Sequence, residues 1–138
     1  MEIGTAKDCA LQRLITLDKR ARDFGFKWPD LDAVLQQILS EHQEVVQELV
    51  DKQSEKRLRE EIGDLLHAVI SLCVFLEFTP QELLQETCVK FQERMNALMQ
   101  LTKEQGLQNL DGQPIEFQLQ LWEEAKRLAA NQQFGLTD

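Results

Sequence analysis

Turn-forming residues are scarce: six Gly and three Pro among 138 residues leave little material for the many reversals of an all-β fold. A few long helices are the economical alternative. Basic character is scarce too. The formal charge is −9, whereas a nucleic-acid coat or an anionic membrane surface calls for clustered Lys and Arg, so neither is expected as a partner. A small phosphorylated ligand stays compatible, provided a divalent cation stands between the protein's acids and the phosphates. Cys9, Cys73 and Cys88 are odd in number and follow no CxxC spacing, which argues against a disulfide framework or a zinc site and for reduced thiols. The stretch "MEIGTAKDCALQRL" shows no basic region leading into an apolar run. The longest apolar run, residues 68–76 interrupted by Ser71, is too short to span a bilayer. The expectation is a cytoplasmic protein.

What is present is helical punctuation. The composition, 43% hydrophobic and 28% charged, is that of an ordinary soluble globular protein, and the length suits a single domain over residues 1–138. A first helix is expected from about Ala6 to Asp23, ended by "DFGFKWPD", where Gly25 breaks, Pro29 stops and Asp30 caps the next. The second, near Leu31 to Lys52, carries Val34, Leu35, Ile38, Val45, Val46 and Leu49 at helical spacing. After the polar turn "DKQSEK", a third helix capped near Ser54 reaches about Leu76, with Leu58, Ile62, Leu65, Leu66, Val69, Leu72 and Cys73 on one face. "FTPQE" restarts the chain, with Pro80 at the first helical position of a fourth helix running to about Glu104. "QGLQNLDGQP" is a loop, and a last helix spans roughly Ile115 to Asn131. The fold class is all-α, a bundle of four or five helices with a core over about 6–104.

Two acid pairs stand out against this frame: Glu41 with Glu44, and Glu61 with Asp64. Residues three apart on a helix lie about 60° apart around its axis. Each pair therefore places one acid at the rim of the apolar stripe and one just beyond it. If the two helices form an antiparallel hairpin, all four carboxylates can share one pocket. Carboxylates so gathered repel one another unless a positive charge lies among them, and Mg²⁺ commonly links a few carboxylates to substrate phosphates. The competing reading is that the acids are solvated flank residues. A di-iron site is disfavoured, because neither His42 nor His67 falls three residues after a Glu as Glu-x-x-His requires.

The whole chain resembles a MazG-type nucleoside triphosphate pyrophosphohydrolase of the all-α NTP pyrophosphatase superfamily. Specifically, it is similar to the second of the two tandem domains of full-length MazG. "GFKWPDLDAVL" resembles the entry to the family's metal-binding hairpin, and "SEHQE" and "EEIGDLL" match its ExxE and ExxD pairs. "KFQERM", with Lys90 and Arg94, and "LWEEAKRL", with Trp122 and Lys126, follow in the family's order.

The resemblance implies Mg²⁺-dependent cleavage (Mn²⁺ as a substitute) of a ribo- or deoxynucleoside triphosphate between its α- and β-phosphates, for housecleaning or pool control. Glu41, Glu44, Glu61 and Asp64 would hold the metal, and Glu60 or Glu61 would act on the attacking water. Arg57, Lys90, Arg94, Trp122 and Lys126 would contact the substrate. The family also implies a homodimer or larger oligomer; the C-terminal helix, with Trp122 and Lys126 four residues apart on one face, is expected to help complete a site, across subunits or within one chain. Several of these residues carry plainer alternatives. Lys90 and Arg94 are explained equally by surface ion pairs with Glu86 and Glu93. Trp122 suits a core position, and His67 suits either a metal neighbourhood or a helix flank. Three positions depart from the family: Gln37 where Lys is usual, Ser40 where a further Glu is common, and Cys88 where Asn is frequent. They keep open a second class of function, a helical dimeric nucleotide-binding or regulatory module with weak or no turnover.

Overall fold

A computed structural model describes residues 9–135, with side chains described through residue 132. Five helices follow one another: α1 (Ala10–Phe24), α2 (Leu31–Asp51), α3 (Glu55–Phe75), α4 (Pro80–Glu104) and α5 (Ile115–Gly135). No strand occurs among the described residues, so the all-α expectation is met. Each boundary has a local cause. α1 closes where Gly25 turns left-handed at φ 104°, a conformation that costs glycine least. The amides of Gly25 and Phe26 then satisfy the last carbonyls, those of Arg22 at 2.9 Å and Ala21 at 2.8 Å. Asp30 caps α2 by accepting from the Ala33 amide at 2.8 Å, and Ser54 caps α3 by accepting from the Arg57 amide at 3.1 Å. Pro80 opens α4, where its missing N–H removes no helical bond.

Two expected bounds differ. Cys9 precedes α1 as its N-cap, in extended conformation, so the helix cannot continue back through it; the expected residues 6–8 lie outside the described residues. At the other end α5 runs on past Asn131 to Gly135. The segment "AANQQF" holds no proline, and nothing in it stops a helix.

The chain divides into two compact units, Met1–Glu82 and Leu83–Asp138. In the first, α2 and α3 pack along each other as a hairpin, and α1 lies on α3. Its buried apolar residues are Ile15, Val34, Ala68 and Val74. Arg22 fastens α1 to α3: its guanidinium donates to the Val74 carbonyl at 2.8 Å and lies 5.6 Å from the centre of the Phe75 ring. Much of the apolar stripe read from the sequence stays uncovered in this unit. Leu35, Val46, Leu49, Ile62 and Leu66 are 43%, 41%, 54%, 43% and 63% exposed, because the α2–α3 seam is narrower than the stripe.

The second unit is built on small residues. Ala97 of α4 and Ala125 and Ala129 of α5 are buried together, with Leu98, Leu101, Trp122 and Leu128 packed around them. Alanine at these three positions leaves room for the larger side chains to close over the cluster. Trp122 also meets Phe91, ring centres 6.0 Å apart and tilted by 54°, a geometry aromatic pairs favour.

Candidate functional site

The hairpin turn is three residues long, Lys52 to Ser54, and Lys52 makes it possible by adopting φ 50°. It sets α2 and α3 antiparallel, so acids from both helices can meet. They do. Glu41 of α2 and Glu61 and Asp64 of α3 offer carboxylate oxygens that lie within 4.8 Å of one another.

Glu44, expected as a fourth member, lies outside that trio, yet its charge reaches Glu61. Burial, then the Glu44 and Asp64 charges, push the Glu61 carboxyl above its ordinary value; Arg57 opposes them, and Glu41 adds a little. Glu60 turns elsewhere: its side chain is 57% exposed and sits 4.0 Å from Lys56. Gln37 donates its amide hydrogen to Glu41 Oε1. This neutral amide orients the Glu41 carboxylate without neutralising it.

Arg57 is held by an acid that sequence reading passed over. Glu48 is buried at 7% exposure and accepts from Arg57 Nε at 2.8 Å. The same guanidinium lies 3.9 Å from Glu61. These contacts raise the Arg57 pKa, first through the hydrogen bond to Glu48 and then through the Glu48 charge. Glu48 Oε2 is buried without a hydrogen-bond partner. Glu48 follows Glu44 by one helical turn and precedes Arg57 across the hairpin, and that pairing was the available signal.

Beside the acids opens a cavity of about 370 Å³ within the first unit. Glu41 and Asp64 border it, as do Leu14, Phe26, Trp28 and Phe75. Asp18, His67 and Ser71 form a polar group on its wall. Ser71 donates to Asp18 Oδ2, and His67 Nε2 lies 3.1 Å from the same oxygen. A carboxylate only accepts, so Nε2 carries the hydrogen of that contact. His67 is therefore turned to α1, and neither expected reading included this partner.

In the second unit Lys90, Arg94 and Lys126 line one hollow of about 460 Å³. Lys126 also holds Glu123 at 2.7 Å. That bond lowers the Glu123 pKa against the opposing effect of burial, with help from the charges of Lys126, Arg127 and Arg94. Trp122 belongs to the packed cluster of this unit, as its core reading had it.

A family profile, the MazG nucleotide pyrophosphohydrolase domain, matches residues 30–99. The chain belongs to this family. The matched segment contains both acid pairs, Glu48 and Arg57. Over 117 residues the chain is 33% identical to the nucleoside triphosphate pyrophosphohydrolase/pyrophosphatase MazG of Thermotoga maritima, covering 85% of this chain and 44% of that protein. Over 122 residues it is 31% identical to the nucleoside triphosphate pyrophosphohydrolase of Escherichia coli K12, covering 86% of this chain and 45% of that one. This MazG-family chain thus spans less than half the length of these relatives.

Proposed function

We propose that this chain hydrolyses nucleoside triphosphates between the α- and β-phosphates, giving a nucleoside monophosphate and pyrophosphate. The observation that carries the reading is the Glu41–Glu61–Asp64 trio, within 4.8 Å across the α2–α3 hairpin, in a chain of this family. Two relatives whose names state nucleoside triphosphate pyrophosphohydrolysis add support. The donor set fits a hard divalent cation, since all three ligands are carboxylate oxygens without His or Cys. Burial, then repulsion from Glu44 and Asp64, keeps Glu61 protonated to higher pH, and that repulsion is what such an ion would relieve. Mg²⁺, or Mn²⁺ in its place, is the proposed ion, and Glu44 the proposed fourth ligand.

Bound there, the ion would neutralise phosphate oxygens and acidify water. The protein's own part is positioning. Gln37 orients Glu41, and Glu48 holds Arg57 beside Glu61. Of the two acids expected to act on water, Glu61 suits the task better than Glu60, which is solvated and faces Lys56. Lys90, Arg94 and Lys126 are proposed as phosphate-facing cations, supported by their gathering around one hollow. Trp122 serves as a packing residue next to them.

The family match runs from the first unit into the second, which supports one domain for the whole chain. Exposed Leu49, Val50 and Leu66 on α2 and α3 support a homodimer or larger assembly. No single helix among the described residues is long and apolar enough to cross a membrane, and a cytoplasmic site of action is proposed.

Product analysis tests the reaction. With Mg²⁺ and a triphosphate panel, pyrophosphate and monophosphate should appear together and vanish in excess chelator. Glu61→Gln and Asp64→Asn should each lower the rate on the order of 100-fold or more, as loss of transition-state charge stabilisation does. Diphosphate and orthophosphate as products would refute the assignment. Metal-dependent binding without turnover would make the chain the regulatory module instead.

A further inference from the structure

Glu48 is the most anomalous side chain of the α2–α3 hairpin. It is 6% exposed along its side chain and is held by one ion pair, with Arg57. Arg57 Nε donates to Oε1 at 2.8 Å, while Oε2 is buried with no hydrogen-bond partner. An unsatisfied buried oxygen costs stability, and a buried ion pair often adds less than apolar residues of the same size. Stability alone gives no reason for Glu48.

The shape of the contact supplies one. A guanidinium can meet a carboxylate with two parallel bonds, one to each oxygen. That arrangement would satisfy Oε2 but would engage Nη2. Here the bond is single. Nη2 instead lies 3.9 Å from Glu61 Oε1, beyond hydrogen-bond distance. Neither Nη1 nor Nη2 makes a hydrogen bond among the described residues. All the terminal hydrogens of the planar fork therefore stay available, beside a member of the Glu41–Glu61–Asp64 trio. With Nε turned to buried Glu48 and the side chain 52% exposed, the fork is open to a ligand. A phosphate can take two parallel N–H bonds from such a fork. The unpaired Oε2 accompanies a guanidinium kept free at its far end.

We infer that Glu48 is a positioning residue: it tethers Arg57 by Nε alone, so that the terminal nitrogens form a phosphate-receiving fork beside the acid trio. This rests on the proposed nucleotide hydrolysis for the phosphate, and it deepens that reading by naming what aims Arg57. Arg57 touches substrate; Glu48 acts only through Arg57. Lysine at this position would keep the charge and lose both the tether and the fork.

Spectroscopy and kinetics test it. With isotopically labelled arginine, proton–nitrogen spectra follow the guanidinium groups, and the Arg57 signals are those missing in Arg57→Lys. Without ligand, the Arg57 Nε hydrogen should exchange slowly with water in the unmutated protein and rapidly in Glu48→Ala. Mg²⁺ with an uncleavable α,β-methylene triphosphate should shift the terminal Arg57 signals and leave the Nε hydrogen protected. In steady-state kinetics Glu48→Ala should lower kcat/KM on the order of tenfold, as misplacement of a positioned group does. Glu48→Gln, which keeps an oxygen for Nε, should recover part of that loss. In an Arg57→Lys background, Glu48→Ala should cost less than about twofold more, because the group it aims is gone. A merely structural Glu48 would act by the same factor in both backgrounds, and that result overturns the inference. A freely exchanging Nε hydrogen in the unmutated protein, or terminal signals that ignore the analogue, overturns it as well. Should Glu48→Ala fail to fold, Glu48→Gln in both backgrounds and the unmutated spectra decide the matter. If the terminal signals shift but no triphosphate yields pyrophosphate, the hydrolytic reading falls and the tether stands. If hydrolysis is intact and the two substitutions are additive, only the tether falls.

Discussion

Two carboxylates in the hairpin behave unlike ordinary surface acids, for opposite reasons. Glu61 holds its proton to higher pH than an ordinary carboxyl, through burial and then the neighbouring Glu44 and Asp64 charges. A carboxyl whose folded pKa lies above its unfolded value adds stability that is fully present below the unfolded value and lost as pH rises through the folded one. Metal-free protein should therefore gain thermal stability when pH is lowered from neutral towards the ordinary carboxylate range, at least until other acids titrate. Mg²⁺ competes with that proton, so its apparent affinity should weaken over the same descent; melting curves at several pH values, with and without Mg²⁺, check both. An affinity flat across that interval would remove Glu61 from the ligand set. Glu48 is instead a buried anion dependent on one cation, Arg57. Arg57→Ala strands that charge, whereas Arg57→Ala combined with Glu48→Leu removes it. The single variant should melt several degrees lower than the double one. The acid pairs were legible in the sequence because stripe-edge carboxylates break a pattern. Glu48 was not, since a lone Glu one turn along the same helix reads as a solvated flank until Arg57 is seen across the turn.

At the scale of elements, boundaries were legible wherever a single residue dictates them. Asp30, Ser54 and Pro80 each mark a start that local hydrogen bonding or ring geometry enforces. Asp30→Ala should accordingly destabilise the protein by about 1 kcal/mol in chemical denaturation, the worth of one orphaned α2 amide regaining only water. α1 and α5 were misjudged by a few residues at ends where no such residue stands. The Asp18 group was illegible for another reason: its members lie 49 and 53 positions apart, joined only once α1 packs on α3. Gly63 is an internal case. It sits within α3, between the carboxylates of Glu61 and Asp64, and an added Cβ there meets nothing within 4 Å. Gly63→Ala should stabilise the fold by about 0.4–1 kcal/mol through the unfolded chain and helix propensity. Loss of hydrolysis with that gain in stability would mean that the space over Gly63 is used by substrate.

For the whole molecule, the apolar stripe is the main departure from sequence reading. Periodicity put Leu49 and Leu66 on core-facing stripes, yet both, and Val50 beside them, remain open to solvent. Sedimentation should report a dimer or larger assembly, and Leu66→Glu, a charge placed in that apolar face, should shift it towards monomer. A monomer at micromolar concentration with full hydrolytic rate would refute the oligomer requirement. The three-residue turn between α2 and α3 carries a further consequence, in time as well as in space. Every carboxylate of the trio lies between Glu41 and Asp64, and the loop that must close to unite them is short, so its entropic cost is low. The acid hairpin is therefore expected to assemble early in folding, ahead of the elements that depend on longer-range contacts. Pulse-labelling of amides during refolding should show α2 and α3 protected first. Mg²⁺ added at the start should then speed folding itself, because the ion would find its ligands before the rest of the fold exists. If Mg²⁺ slows only unfolding, the ligands meet after the folding barrier.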